Sequence, residues 1–304
     1  MSKPKTQKTP AKSEIVADNT VLKLVIPAAQ ATKTYQQILK KSAQNIKIKG
    51  FRKGKVPTKL AQEQLDPAQL VEKAINQILP QAYTDLIKKE KKQPISEPSF
   101  KLISAEKDKD WEVEVQIAEA PTIKLTDYKK TAVAAKKKAE KEISAHKKED
   151  QKAEKKGESK GHHHHKHDDE STKLHAIFAS LIETSKPAIP ELLIKQETQR
   201  QIQQIVSQLD QLKLSLDDYL KRRNQTFEQL TSEMAAQSLA NLQLEFILLE
   251  LAKEIKAEAS DKEIKAEMKK NFPENKQQQT NPYLLAQIKR NIERKQVIDH
   301  LLSL

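Results

Sequence analysis

Two short stretches carry the residue types that could do chemistry. The first is GFRKGKVP, residues 50 to 57, in a chain of 304 residues with only four glycines. Gly50 and Gly54 bracket Phe51, Arg52 and Lys53, and glycine is what a chain uses where the backbone must turn freely. An aromatic ring beside a guanidinium and an ammonium can combine an apolar or stacking contact with phosphate pairing. Lys47, Lys49 and Lys55 extend the positive patch. Two placements of Phe51 are open at this point: folded into a core with the cations solvated, or held out at an exposed tip. The second stretch is the imidazole run His162, His163, His164, His165 and His167. Clustered imidazoles bind Zn²⁺ or Ni²⁺, but a structural site needs fixed ligands and outer partners. Lying in a stretch with no apolar residues to hold it, the run is expected to be a solvated low-complexity tract, with metal binding as the alternative.

No other constellation points to a reaction. The P-loop, G-x-G-x-x-G, G-x-S-x-G and H-E-x-x-H patterns are absent, and with no cysteine there is neither a thiolate nucleophile nor a disulfide. His175 and His300 fall in helical stretches, where a structural or surface role is expected. The chain is expected to need no cofactor.

The elements that must position these residues follow from periodicity. VLKLVI (21–26) reads as a strand, and Pro27 suits the first turn of a helix through Tyr35, Ile38 and Leu39. Asp66 and Pro67 form an N-cap and first-turn pair opening a helix with Leu70, Val71, Ala74, Ile75 and Ile78 at helical spacing. Pro80 within that helix predicts a kink. SFKLIS (99–104) and WEVEVQI (111–117) read as a hairpin, with Trp111, Val113, Val115 and Ile117 on one face. After Tyr128 the chain runs for some forty residues without Phe, Trp or Tyr, too poor in apolar area to offset its ordering entropy, with fraying helix near its start. From Leu174 onward apolar stripes predict helices after Pro190, from Phe227 and from Pro282.

The fold class is therefore an α+β N-terminal domain, a disordered charged linker and an all-α C-terminal domain. The boundaries are a flexible terminus 1–13, a first domain 14–128, a linker 129–171 and a helical domain 172–304. The formal charge of +13 calls for a polyanionic partner. It is uneven: 23 Lys and Arg stand against 15 Asp and Glu in residues 1–128, but 19 against 18 in residues 172–304. No run of about 18 apolar residues and no apolar leader occurs, which reads as a soluble cytoplasmic protein with no membrane partner.

IKIKGFRKGKVP resembles the ribosome-binding signature of the bacterial trigger factor family. The resemblance covers roughly residues 14–128, including DPAQLVEKAINQILPQAYTDLIKKE and the hairpin through PTIKL; 172–304 resemble the family's helical chaperone domain more diffusely. It implies that Phe51, Arg52 and Lys53, flanked by Gly50, Gly54 and Lys55, contact the large ribosomal subunit beside the exit tunnel, and that the helical arms bind unfolded nascent polypeptides. It leaves room for weak self-association. The family usually carries, between these parts, a prolyl isomerase domain of about a hundred residues whose pocket is lined by aromatic side chains. Residues 129–171 are too few and hold no aromatic, so isomerase activity is expected to be absent. The alternatives are a prolyl isomerase with a minimal site and a generic basic RNA-binding protein.

Overall fold

The computed structural model describes residues 15–46, 51, 56–155, 169–272 and 280–304. They form strands β1 (Val16–Ala17), β2 (Thr20–Ile26), β3 (Ser99–Ser104), β4 (Trp111–Ile117) and β5 (Ile189–Pro190). The helices are α1 (Ala28–Asn45), α2 (Thr58–Gln64), α3 (Pro67–Glu90), α4 (Tyr128–Lys155), α5 (Asp169–Ser185), α6 (Glu191–Gln211), α7 (Leu216–Arg223), α8 (Phe227–Glu254), α9 (Asp261–Asn271) and α10 (Pro282–Ser303). Two compact units result. One comprises 18–120 with 190–193; the other takes the described residues of 1–17, 121–189 and 194–304.

The first unit is α+β. Its sheet has the order β2-β4-β3, antiparallel throughout, with Ile26 opposite Trp111 and Phe100 opposite Val115. The alternation of β4 does what period 2 requires: Trp111, Val113, Val115 and Ile117 are buried, while Glu112, Glu114 and Gln116 face outward and are half-exposed. The buried face packs on Ala74, Ile75, Ile78 and Leu79 of α3 and Ala31 of α1. Burying side chains of this size contributes about 1.5–3 kcal/mol each for the larger ones. Local signals set the helix ends. Asp66 accepts from the Ala68 N–H at 2.9 Å with Pro67 in the first turn, and α3 ends on Lys91 in the left-handed region. Pro80 does not break α3, which continues ten residues past it to Glu90. Thr84 donates back to the Pro80 carbonyl at 2.8 Å. Helix α1 starts one residue later than Pro27, whose carbonyl takes the first N–H bonds, and the Ala28 N–H is held by Asp110 at 2.8 Å. A polar latch closes the far end: Glu119 accepts from Lys92 at 2.9 Å and from Thr20 at 2.8 Å. Those two bonds, the lysine's first, hold the Glu119 carboxyl below the usual glutamate range.

The second unit is almost entirely helical. Ile177, Leu181, Ile247, Leu248, Leu251, Val297 and Leu301 meet in one core fed by α5, α8 and α10. Here the structure departs from the expected linker. Residues 128–155 are helix α4, and Tyr128, Ala132, Ala135 and Ala139 are buried along it at heptad spacing. Alanine contributes little area per residue, which is why a hydrophobicity reading misses it. Small side chains in a row nonetheless let a neighbouring helix come close, and Ala, Lys and Glu are all strong helix formers. Lys173 of α5 pairs with Glu140 of α4 at 3.0 Å, and Lys136 reaches the Leu302 carbonyl at 2.5 Å. The compositional boundary at 128 is therefore the start of a helix that belongs to the second unit, whose described residues continue with α5 from Asp169. Residues 156–168 lie outside the described residues.

Three buried polar side chains of this unit are paired, whereas the Gln225 Oε1 is buried without a partner among the described residues. Gln243 donates to the Pro187 carbonyl at 3.0 Å, and Thr198 donates to Ser238 at 3.3 Å. Helix α8 opens with a capping box between Thr226 and Gln229. Farther along, Leu220, Leu230 and Met234 make a separate small core joining α7 and α8.

Candidate functional site

The Phe51 region is built from its two anchored ends. Helix α1 finishes at Asn45, where the Ile46 N–H returns to the Ser42 carbonyl at 3.2 Å. The chain re-enters the core at Val56, which is buried with Ala43 and Ala61, and Pro57 leads into α2. Between these anchors Phe51 is 41% exposed. The core placement left open by the sequence is thus not the one adopted. Gly50, Arg52, Lys53, Gly54 and Lys55 lie outside the described residues, as do Lys47 and Lys49.

What surrounds Phe51 in the sequence is one-sided in charge. Residues 28–65, which span α1 and α2, hold nine Lys and Arg and a single acid, Glu63. That surplus of eight equals the surplus of the whole first 128 residues, so the remainder of that segment is neutral. Helix α1 contains no acid at all, and Lys33, Lys40 and Lys41 lie on its exposed side. A patch of this kind raises the local concentration of a polyanion and speeds its capture. Four of the nine cations, Lys33, Lys40, Lys41 and Lys59, lie in the two helices, and the other five fall in the segment between them.

The second unit offers apolar surface instead. Leu212, Phe227, Leu249 and Tyr283 are exposed. Between α8 and α10 lies a cavity of about 420 Å³, where Leu249, Ala252 and Tyr283 meet Arg290, Arg294 and Glu245. Of the larger apolar side chains of α8, Met234 is buried and Phe246 half-buried.

Among the described residues the histidines do not assemble a site. His162, His163, His164, His165 and His167 lie outside the described residues. His175 is exposed, and His300 stands 3.4 Å from the Tyr128 hydroxyl at the edge of the helical core. Among the described residues no group of three His, Cys, Asp or Glu could hold a metal ion, and no helix is long and apolar enough to cross a membrane.

Comparison with known proteins bears on both units. A family model described as bacterial trigger factor protein matches residues 10–154, and one described as bacterial trigger factor protein C-terminus matches residues 151–303. The chain belongs to the bacterial trigger factor family. The two matches meet at residues 151–154, in the last turn of α4. Among curated relatives, the trigger factor of Staphylococcus epidermidis is 34% identical over 109 residues, 36% of this chain and 25% of its own. That of Staphylococcus aureus (strain Newman) is 33% identical over 124 residues, 41% of this chain and 28% of its own. The chain thus spans about a quarter of the length of the curated relatives it matches. A solved structure described as "Promiscuous Substrate Recognition in Folding and Assembly Activities of the Trigger Factor Chaperone" shares the fold with a TM-score of 0.58. It is 13% identical, with 94% of this chain and 97% of that one covered. The match at so low an identity is a statement about the fold alone.

Proposed function

We propose that this chain is a ribosome-associated chaperone. In this reading the first unit docks on RNA and protein of the large ribosomal subunit near the tunnel exit through Phe51, Arg52 and Lys53, with Gly50, Gly54 and Lys55 shaping the contact. The helical unit then holds unfolded nascent polypeptides on its exposed apolar side chains, delaying misfolding and assisting folding and export. The protein works in the cytoplasm, without cofactor or membrane. The observation that carries the proposal is a large aromatic side chain left exposed amid the most basic stretch of the chain.

Binding through a basic patch is salt-sensitive because each phosphate contact releases counterions, whereas apolar holding is not. That division suits a chaperone that must stay at one place while its clients change. It also needs no bond-making chemistry. Purified protein is therefore expected to leave the slow, proline-limited phase of a refolding reporter at its uncatalysed rate.

The deciding experiment replaces Phe51, Arg52 and Lys53 with alanine together. The variant should no longer sediment with ribosomes while its helical circular dichroism is unchanged. Wild-type levels of co-sedimentation would remove the proposal's main support.

A further inference from the structure

The first unit has an apolar surface that the ribosome-docking reading leaves unused. Among the described residues β3 pairs only with β4, which leaves its other edge without a strand, and five of its six residues are exposed. Phe100 and Leu102 stand opposite Val115 and Val113 and so point to the core side of the sheet, yet they are 39% and 45% exposed. They form one wall of a groove of about 400 Å³ whose other wall is Val71, Ile75 and Leu79 of α3, with Tyr83 packed edge-on against Phe100 at 5.6 Å. A sheet one strand wider would cover this groove.

The outer face says what that strand should carry. Lys23 of β2, Glu114 of β4 and Lys101 of β3 are in register across the sheet, and Lys23 also pairs with Glu112 at 2.8 Å. Charge alternates plus, minus, plus, and opposite charges facing each other across strands are favourable while like charges are not. We propose that β3 takes up an extended segment of an unfolded client polypeptide as a fourth strand, with apolar side chains at alternate positions over the groove and a carboxylate opposite Lys101. Main-chain hydrogen bonds to the free edge supply sequence-tolerant affinity, and the alternate side chains supply preference.

The same lysine argues against a second copy of this chain as the occupant. The antiparallel register that sets Phe100 of each strand opposite Leu102 of the other sets Lys101 against Lys101. The irregularity between Leu102 and Ser104, where Ile103 is the extra residue, shortens the edge further. The strand is guarded against itself and open to an acidic-apolar partner.

The inference rests on the client-holding half of the chaperone reading and not on ribosome docking. Its test uses the full chain and two labelled ten-residue peptides with Phe and Val alternating with Ser, identical except for a central Glu or Lys. At low salt the Glu peptide should bind up to about fivefold more tightly, the upper range of a cross-strand charge pair. Lys101→Glu, at an exposed position, should reverse that order. Methylating alternate peptide nitrogens should abolish binding, and Leu102→Ser should weaken both peptides. Equal affinities, an order unmoved by Lys101→Glu, or full binding of the methylated peptide would overturn the inference, as would a dimer of the chain lost on Leu102→Ser. A chain that suppresses aggregation of a denatured reporter but ignores Lys101 loses only this inference; one that holds no unfolded protein loses the chaperone reading itself.

Discussion

The two units solve the problem of binding in opposite ways. In the first, charge is concentrated along the sequence: the thirty-eight residues 28–65, which are α1, α2 and the segment between them, hold a surplus equal to that of the whole N-terminal segment, and the exposed Phe51 falls among them. In the helical stretch 172–304 charge is balanced, 19 Lys and Arg against 18 Asp and Glu, and exposed apolar side chains such as Leu212, Phe227 and Tyr283 are scattered along it. A concentrated field acts at a distance and selects a class of surface, while scattered apolar contacts act only on touching and accept many sequences. On the proposed reading, one chain would carry both a fixed address and an indiscriminate grip.

That contrast can be broken most severely with salt. Raising potassium chloride from about 50 to 200 mM should cut ribosome affinity roughly fifty- to hundredfold if about four phosphates are contacted, while client holding by the same protein changes by less than about twofold. Parallel sedimentation and aggregation-suppression assays would read this. Equal losses in both would mean that the charge is not segregated by function.

Next come the cores. Ile117→Ala should destabilise the sheet unit and Ile247→Ala the helical unit, each by about 2–5 kcal/mol, since both side chains are fully buried. Limited proteolysis should show each substitution exposing its own unit first. A single shared unfolding transition for both variants would blur the comparison. Smaller still, Thr226→Ala removes the capping box of α8 and should cost about 1 kcal/mol in thermal or denaturant melts of the helical unit, with ribosome binding untouched.

The smallest effect is expected at the Glu119 latch. Its carboxyl is held below the usual range by Lys92 and Thr20, so it contributes stability above the unfolded-state value, roughly pH 4.3, and that contribution fades as pH falls through the lowered folded-state value. With both partners about a third exposed, Glu119→Gln should cost roughly half a kcal/mol at neutral pH. Acid titration of the two proteins should show the gap closing as Glu119 protonates. A gap that widened on acidification would reverse the sign argued here.

Much of the sheet unit was legible from the residues because its signals are local. Asp66 and Pro67 cap α3, and alternation in β4 sorts buried from outward-facing side chains. The GFRKGKVP stretch stands out because glycines are rare in this chain, but the residues alone left the placement of Phe51 open, and its exposure is what the structure adds. What the residues concealed depends on neighbours distant in sequence. Nothing in KKTAVAAKKKAEKEIS distinguishes a solvated helix from α4, because Ala132, Ala135 and Ala139 become a packing face only when α5 is there to meet them. Likewise SFKLIS reads as an ordinary hairpin strand; that it lies at an edge with Phe100 and Leu102 half uncovered is decided by the absence of a further strand, which no residue in it announces. Helices α2, α7 and α9 were missed as too short for periodicity to register.

Helices α4 and α5 lie side by side, joined by the thirteen residues between Lys155 and Asp169. Their mutual packing does not depend on how much chain makes that return, since closure entropy grows only slowly with length. The junction is therefore a natural splice point: a folded cargo domain of any sort could be grafted there, or removed, with the helical core left as it is.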